Sequence, residues 1–228
     1  MASALPPRPD DKPILSIDTS SSQGGLALYD GRTLSSRSWL ADRSHTTTLL
    51  SEIHHLLDKA QLRVRELAAI AIATGPGAFT GLRVGFGVAK GFHLATGLPL
   101  IGIPTLEATA LGFATCGNPV VAVVGAGRGR LVWAHYGAGT EGITQLRPPR
   151  NGTTSELVEE LSGSGPLLVT GEIDDDQAGL IAQIDGVSLP PAPLRMRQPG
   201  ALAELAWTRW RAGDVDEASA IEPVYLSR

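Results

Sequence analysis

Residues 73–91 read ATGPGAFTGLRVGFGVAKG, with three glycines in the seven positions from Gly75 to Gly81 and three more, Gly85, Gly87 and Gly91, spread beyond them. The unbroken apolar run LAAIAIAT before this stretch reads as a buried strand. The glycines then form a turn, and a helix is expected from about Phe79 to Thr96, with Gly97 as its C-cap and Pro99 beyond. A Walker loop would need Gly-Lys-Ser or Gly-Lys-Thr, which is missing. A dinucleotide fingerprint would need glycine where Thr80 stands, and Pro76 removes a backbone donor. Two readings of the turn stay open: a tight connection, or an anion site at the unpaired amides of the helix start. Within the helix each of Gly81, Gly85, Gly87 and Gly91 costs roughly 0.8–1 kcal/mol relative to alanine. Such a cost implies that a backbone comes close, from the core of this chain or from a partner. Gly81, Gly85 and Ala89 form one small row and Val84, Val88 and Phe92 an apolar row beside it, with Arg83, Lys90 and His93 as the polar positions.

Working outward, ILSIDTS, GGLALYD and RTLSSRSWL read as an antiparallel three-strand meander turning at Asp30-Gly31. Ser44 is an N-cap for a helix whose face is Leu49, Ile53, Leu56 and Ala60. PLIGI closes this unit as a short strand. After Pro104 come a short helix to about Thr115, strands VVAVV and RLVWAHY, a polar stretch, a helix near 154–162 and the strand PLLVT. LPPAPLRMRQPG is an irregular connection before a helix from Ala201 to Ala212. The expected architecture is α/β in two lobes, 13–104 and 105–228, with the last helix returning to the first lobe and residues 1–12 a flexible tail.

The 228 residues are 43% hydrophobic and 18% charged with net charge −4, a profile that disfavours a freestanding nucleic-acid binder. No apolar run approaches a membrane span, and the single cysteine, Cys116, fits a reducing compartment and a small buried role. A cytoplasmic protein without membrane association is expected. Asp18 with the hydroxyls after it could face a phosphate or Mg2+, or form a simple turn. His54 and His55 point in different directions on their helix and read as solvated, and EIDDD at 172–176 reads as a turn or helix start.

ILSIDTSSSQGGLALYD, RSHTTTLLSEIHHLL, GPGAFTGLRVGFGVAKG, PLIGIPTLEA and the terminal EPVYLSR, in this order along most of the chain, resemble the TsaB (YeaZ) family of bacterial tRNA threonylcarbamoyladenosine biosynthesis proteins. The resemblance implies the actin-like ATPase fold of sugar kinases, Hsp70 and actin. It also implies a non-catalytic subunit, without cofactor or metal, that supports its paralogue TsaD, with the ATPase TsaE, in modifying adenosine 37 of tRNAs reading ANN codons. Contact with tRNA would be indirect. Where the paralogue carries a metal-binding His-x-x-x-His pair, this chain has Thr105 and Thr109, and hydroxyls are poor transition-metal ligands. A nucleotide-site remnant falls on Asp18, Thr19, Ser20, Gly75, Gly77 and Thr80. The two helices at 45–61 and 79–96 form the family's docking bundle for TsaD or a second copy, which assigns His45, Leu49, Ile53, Leu56, Gly81, Arg83, Gly85, Val88 and Phe92 to a partner interface. The chain departs from the family at Ala126-Gly127-Arg128, where many members have Asp-Ala-Arg. The older description of the family as M22 glycoproteases finds no visible nucleophile or metal site. The alternative is an active small-molecule kinase or ATPase using Asp18 and the Gly75–Gly81 loop.

Overall fold

Strand β1 (Ile14–Asp18) alternates its side chains between two apolar layers, and the first sheet grows from it. The computed structural model describes residues 12–41, 45–139 and 142–225, so nearly all of the expected tail, Ser44 and the last three residues lie outside the described residues. β1 pairs antiparallel with β2 (Gln23–Tyr29), which pairs antiparallel with β3 (Leu34–Leu40), while β4 (Ala69–Gly75) and β5 (Leu100–Pro104) add in parallel, giving the order β3-β2-β1-β4-β5. On one face Leu15, Ile17, Leu26, Ile70 and Ile72 meet helices α1 (His45–Lys59) and α2 (Phe79–Thr96). On the other face Ile14, Ala71, Ala73 and Ile103 meet Leu202, Ala206 and Trp207 of α7 (Pro199–Arg211), the last helix among the described residues. Alanines on the α7 side of β4 leave room for the indole, and isoleucines on the other side fill the space under α1 and α2.

The second sheet has the order β10-β9-β6-β7-β8, built from β6 (Val120–Gly127), β7 (Arg130–Gly139), β8 (Gly142–Thr153), β9 (Leu167–Gly171) and β10 (Val187–Ser188). Helix α3 (Thr105–Leu111) covers one face against Val120, Ala122 and Val124, and α4 (Thr154–Leu161) with α5 (Asp175–Ile181) covers the other against Val121, Val123 and Trp133. A one-turn helix, α6 (Ala192–Arg195), leads into α7.

The glycine-rich helix runs over Phe79–Thr96 as its pattern predicts, and Gly97 closes it with φ 74 and an N–H donated to His93 O. Three expectations are corrected. The polar stretch after β7 forms β8, and its Pro148 and Pro149 fall where the register with β7 shifts, so an edge strand accommodates them without losing paired donors. The connection before α7 holds the α6 turn, with Arg195 N donating to Pro191 O at 3.2 Å. Cys116 is exposed, because α3 ends at Leu111 and the chain leaves the core in a series of turns.

Candidate functional site

Two loops of the first lobe lock together at the carboxyl ends of β1 and β4. Ala78 N donates to Ser20 O at 2.6 Å, and a Cβ on Gly77 would overlap that same oxygen. Gly75 has φ +103, a value that L side chains rarely adopt, and a Cβ there would stand 2.7 Å from Val224 O. Gly75 N donates to Thr105 Oγ1 at 3.1 Å, and Val224 N donates to Thr74 O at 2.7 Å, so the C-terminal segment lies along the loop. The bare backbone at Gly75 and Gly77 therefore admits this chain's own segments. Thr80 is exposed in the first turn of α2.

Asp18 closes β1 with its carboxylate buried, and the group facing it is Arg197, from the connection between α6 and α7. The Arg197 side chain is 5% exposed and the Asp18 side chain 8%. Arg197 Nε donates to Asp18 Oδ2, Nη2 donates to Ser20 Oγ at 2.8 Å, and Nη1 donates to Thr109 Oγ1 at 3.2 Å. Nη1 also reaches Glu172 Oε1 at 3.5 Å, while Glu172 Oε2 accepts from Gly125 N at 3.0 Å. Ser20 completes the cluster by donating to Asp18 Oδ1 from its backbone at 2.9 Å and from its hydroxyl at 2.6 Å. Burial pulls the Asp18 carboxyl upward, but the charge and hydrogen bonds of Arg197 and Ser20 outweigh it and hold the group below its usual range. For Glu172 burial wins and the carboxyl is raised despite Arg197. One guanidinium thus joins the first lobe (Asp18, Ser20) to the second (Glu172). A divalent cation at Asp18 would have to displace it, since two cations cannot share that oxygen set.

Thr105 and Thr109 are both spent on local structure. Thr105 accepts from the Gly75 amide, and Thr109 Oγ1 donates to Thr105 O at 2.8 Å while receiving Arg197. Among the described residues, no group of three His, Cys, Asp or Glu side chains is arranged to hold a metal ion. No helix among them is long and apolar enough to cross a membrane.

The expected interface residues separate into two sets. Leu49, Ile53 and Leu56 are 1–2% exposed and fill the core under α1, because their spacing turns them toward the sheet. Gly85 also faces inward: a Cβ would overlap Thr19 Oγ1 and stand 2.9 Å from Ile72 Cδ1. Gly81 is buried beside it, its carbonyl accepting from Thr19 Oγ1 at 2.7 Å. These five residues support the two-helix face from beneath and are corrected as surface contacts. Arg83 is exposed, Val88 and Phe92 are half-buried, and Gly87 and Gly91 are exposed, with nothing among the described residues within 4 Å of where a Cβ would stand. The His45 side chain lies outside the described residues; His54 and His55 are exposed. A groove of about 500 Å³ runs beside Gly87, walled by Phe79, Arg83 and Tyr225, with the Phe79 and Tyr225 rings 4.9 Å apart. Sequence reasoning missed Arg197, and it counted the helix cost of Gly87 and Gly91 without assigning them to the interface. A hint of the first was an arginine pair set among prolines and apolar residues in LPPAPLRMRQPG.

Two α/β lobes meeting over buried acidic groups define the class: an actin-like ATPase fold. A Bacteroides thetaiotaomicron protein described as having that fold superposes with a TM-score of 0.50 at 10% identity, covering 89% of this chain and 99% of its own. YeaZ from Pseudomonas aeruginosa superposes with a TM-score of 0.77 at 24% identity, covering 94% of this chain and 100% of its own. The family described as "TsaD: tRNA N6-adenosine threonylcarbamoyltransferase" matches residues 39–161. The tRNA threonylcarbamoyladenosine biosynthesis protein TsaB of Escherichia coli is 30% identical over 223 residues, 93% of this chain and 94% of that protein. The chain belongs to the TsaB (YeaZ) family of tRNA threonylcarbamoyladenosine biosynthesis proteins.

Proposed function

We propose that this chain is a non-catalytic subunit of the bacterial machinery for threonylcarbamoyladenosine at position 37 of ANN-reading tRNAs. It binds its paralogue TsaD and supports the transfer that TsaD performs. The observation that carries the reading is Arg197. Its guanidinium occupies the space beside Asp18 that a metal-bound phosphate would need, and it is retained there by contacts from both lobes. Thr105 and Thr109 point the same way, since the positions of the paralogue's histidine pair serve as hydrogen-bond partners within this chain.

The docking surface is the outward side of α2 with the neighbouring side of α1. Gly87 and Gly91 carry the helix cost of glycine without any neighbour among the described residues that requires it, and a closely approaching helix supplies the reason. Half-buried Val84, Val88 and Phe92 border them, and Arg83 and Lys90 stand at the rim. The same face pairs two copies of the free chain, and TsaE joins only in the assembled complex, so contact with tRNA is indirect.

The test is complex formation with purified TsaD, read as mass by light scattering after gel filtration. The Gly87→Arg variant changes a position with open space around it, so it is expected to fold and to lose the complex; a complex of wild-type mass would reject this face. Calorimetry with ATP and Mg2+ on the free chain is expected to show no saturable heat. Tight binding with turnover would instead favour the kinase or ATPase alternative.

A further inference from the structure

The cleft beside the Arg197 cluster widens into a cavity of about 690 Å³ between the β6–β7 hairpin, the end of β9 and the α6 turn. Arg195 lines it. This residue is 6% exposed, yet among the described residues its guanidinium has no hydrogen-bond or ion-pair partner, unlike Arg197 two positions on. The sealed and unpartnered side-chain atoms of the described residues are Trp39 Nε1 and Thr170 Oγ1, so the Arg195 nitrogens keep accessible surface, and the residue lines the cavity. An unpaired cation so deeply recessed is costly, and an anion entering the cavity removes that cost.

The surroundings limit which anion fits. Arg197 is committed to Asp18, and Arg130 donates to Asn151 through Nε at 2.9 Å and Nη2 at 3.0 Å, neutral contacts that leave its charge in place. Arg130, Arg195 and Arg197 share the lining with Glu172 and Asp174, which leaves a formal surplus of one positive charge, so a single negative charge balances the cavity and a polyphosphate would exceed it. The rest of the wall includes Leu131, Ile173 and Pro193, with Met196 47% exposed at the mouth, an apolar surface of the kind that takes an aliphatic body.

We propose that this cavity binds a small organic monocarboxylate, its carboxylate forked onto Arg195 and its aliphatic part laid over Leu131, Ile173 and Pro193. The inference is independent of the partner role, because no residue lining this cavity belongs to α1 or α2.

The experiment is a two-dimensional NMR titration of the isotope-labelled full chain with hexanoate, using hexanol and inorganic phosphate as comparison probes. Hexanoate is expected to saturate shifts of the Gly125, Gly127 and Gly129 amides, and the other two probes are not. Arg195→Met is expected to weaken hexanoate by about tenfold or more, the usual scale for losing a charge-assisted hydrogen bond. Met196→Glu alters an exposed side chain and adds a like charge at the mouth; it should weaken hexanoate several-fold, and it decides the matter if Arg195→Met does not fold. Absence of saturation in the wild type, equal affinity in a folded Arg195→Met or in Met196→Glu, or preference for phosphate would overturn the proposal.

Discussion

At Asp18 the balance of forces is settled by one side chain. With Arg197 present the carboxyl is held below its usual range, so its contribution to stability is complete above the unfolded value near about 4 and is lost as pH falls through the lower folded value. Without Arg197 only the Ser20 hydrogen bonds oppose burial, the largest influence on this carboxyl, and the group moves up; at Glu172 burial already prevails over its hydrogen bonds and Arg197. Arg197→Met is therefore expected to destabilise the chain by about 3–5 kcal/mol at pH 7, the cost of leaving a buried charge uncompensated. That deficit should shrink as pH falls toward 4 and the stranded carboxyls take up protons. Urea unfolding at pH 7 and pH 4 checks this, and a deficit that grows in acid would contradict the assignment of Arg197 as counter-charge.

Within α2 the glycines have opposite roles that only their facing reveals. Gly85→Ala drives a methyl into Thr19 Oγ1, itself held by its bond to Gly81 O, and into Ile72. A loss of about 1–3 kcal/mol is expected, the scale of overpacking in a tight core. Gly87→Ala and Gly91→Ala meet open space, so each is expected to stabilise the free chain by about 0.5–1 kcal/mol through helix propensity. Both should weaken association with TsaD at the same time. Thermal melts and gel filtration read the two effects separately; a Gly87→Ala chain that is more stable and still binds undiminished would remove glycine thinness from the account of the face.

Across the whole molecule, the Arg197 guanidinium bridges the two sheets at the cleft, where Gly75 N also meets Thr105 Oγ1 of α3, while α7 carries the chain back from the second sheet to the first. If Arg197 clamps the lobes, Arg197→Met should raise the radius of gyration measured by small-angle scattering at pH 7, and Arg197→Lys should raise it less. An unchanged radius would show that the packing of α3 and α7 sets the closure without Arg197.

Local order was legible along most of the chain. The meander, α2 with its Gly97 cap and the buried β4 follow from periodicity and capping chemistry, because those signals act between residues a few positions apart. β8 was hidden because an edge strand takes its stability from backbone pairing with β7, which its polar, proline-bearing sequence does not display. The actin-like fold and the family were reachable from ordered motifs. Asp18 and Ser20 were singled out too, but the cation facing them was not, because Arg197 and Asp18 are separated by 179 positions and no local pattern announces an ion pair across that distance. The same limit applies to the glycine row: sequence establishes that bare backbone is needed along residues 75–91, through the helix cost of glycine. Which of those positions admit this chain's own loops and which face outward was decided by tertiary packing alone, since a missing side chain carries no record of the neighbour it makes room for.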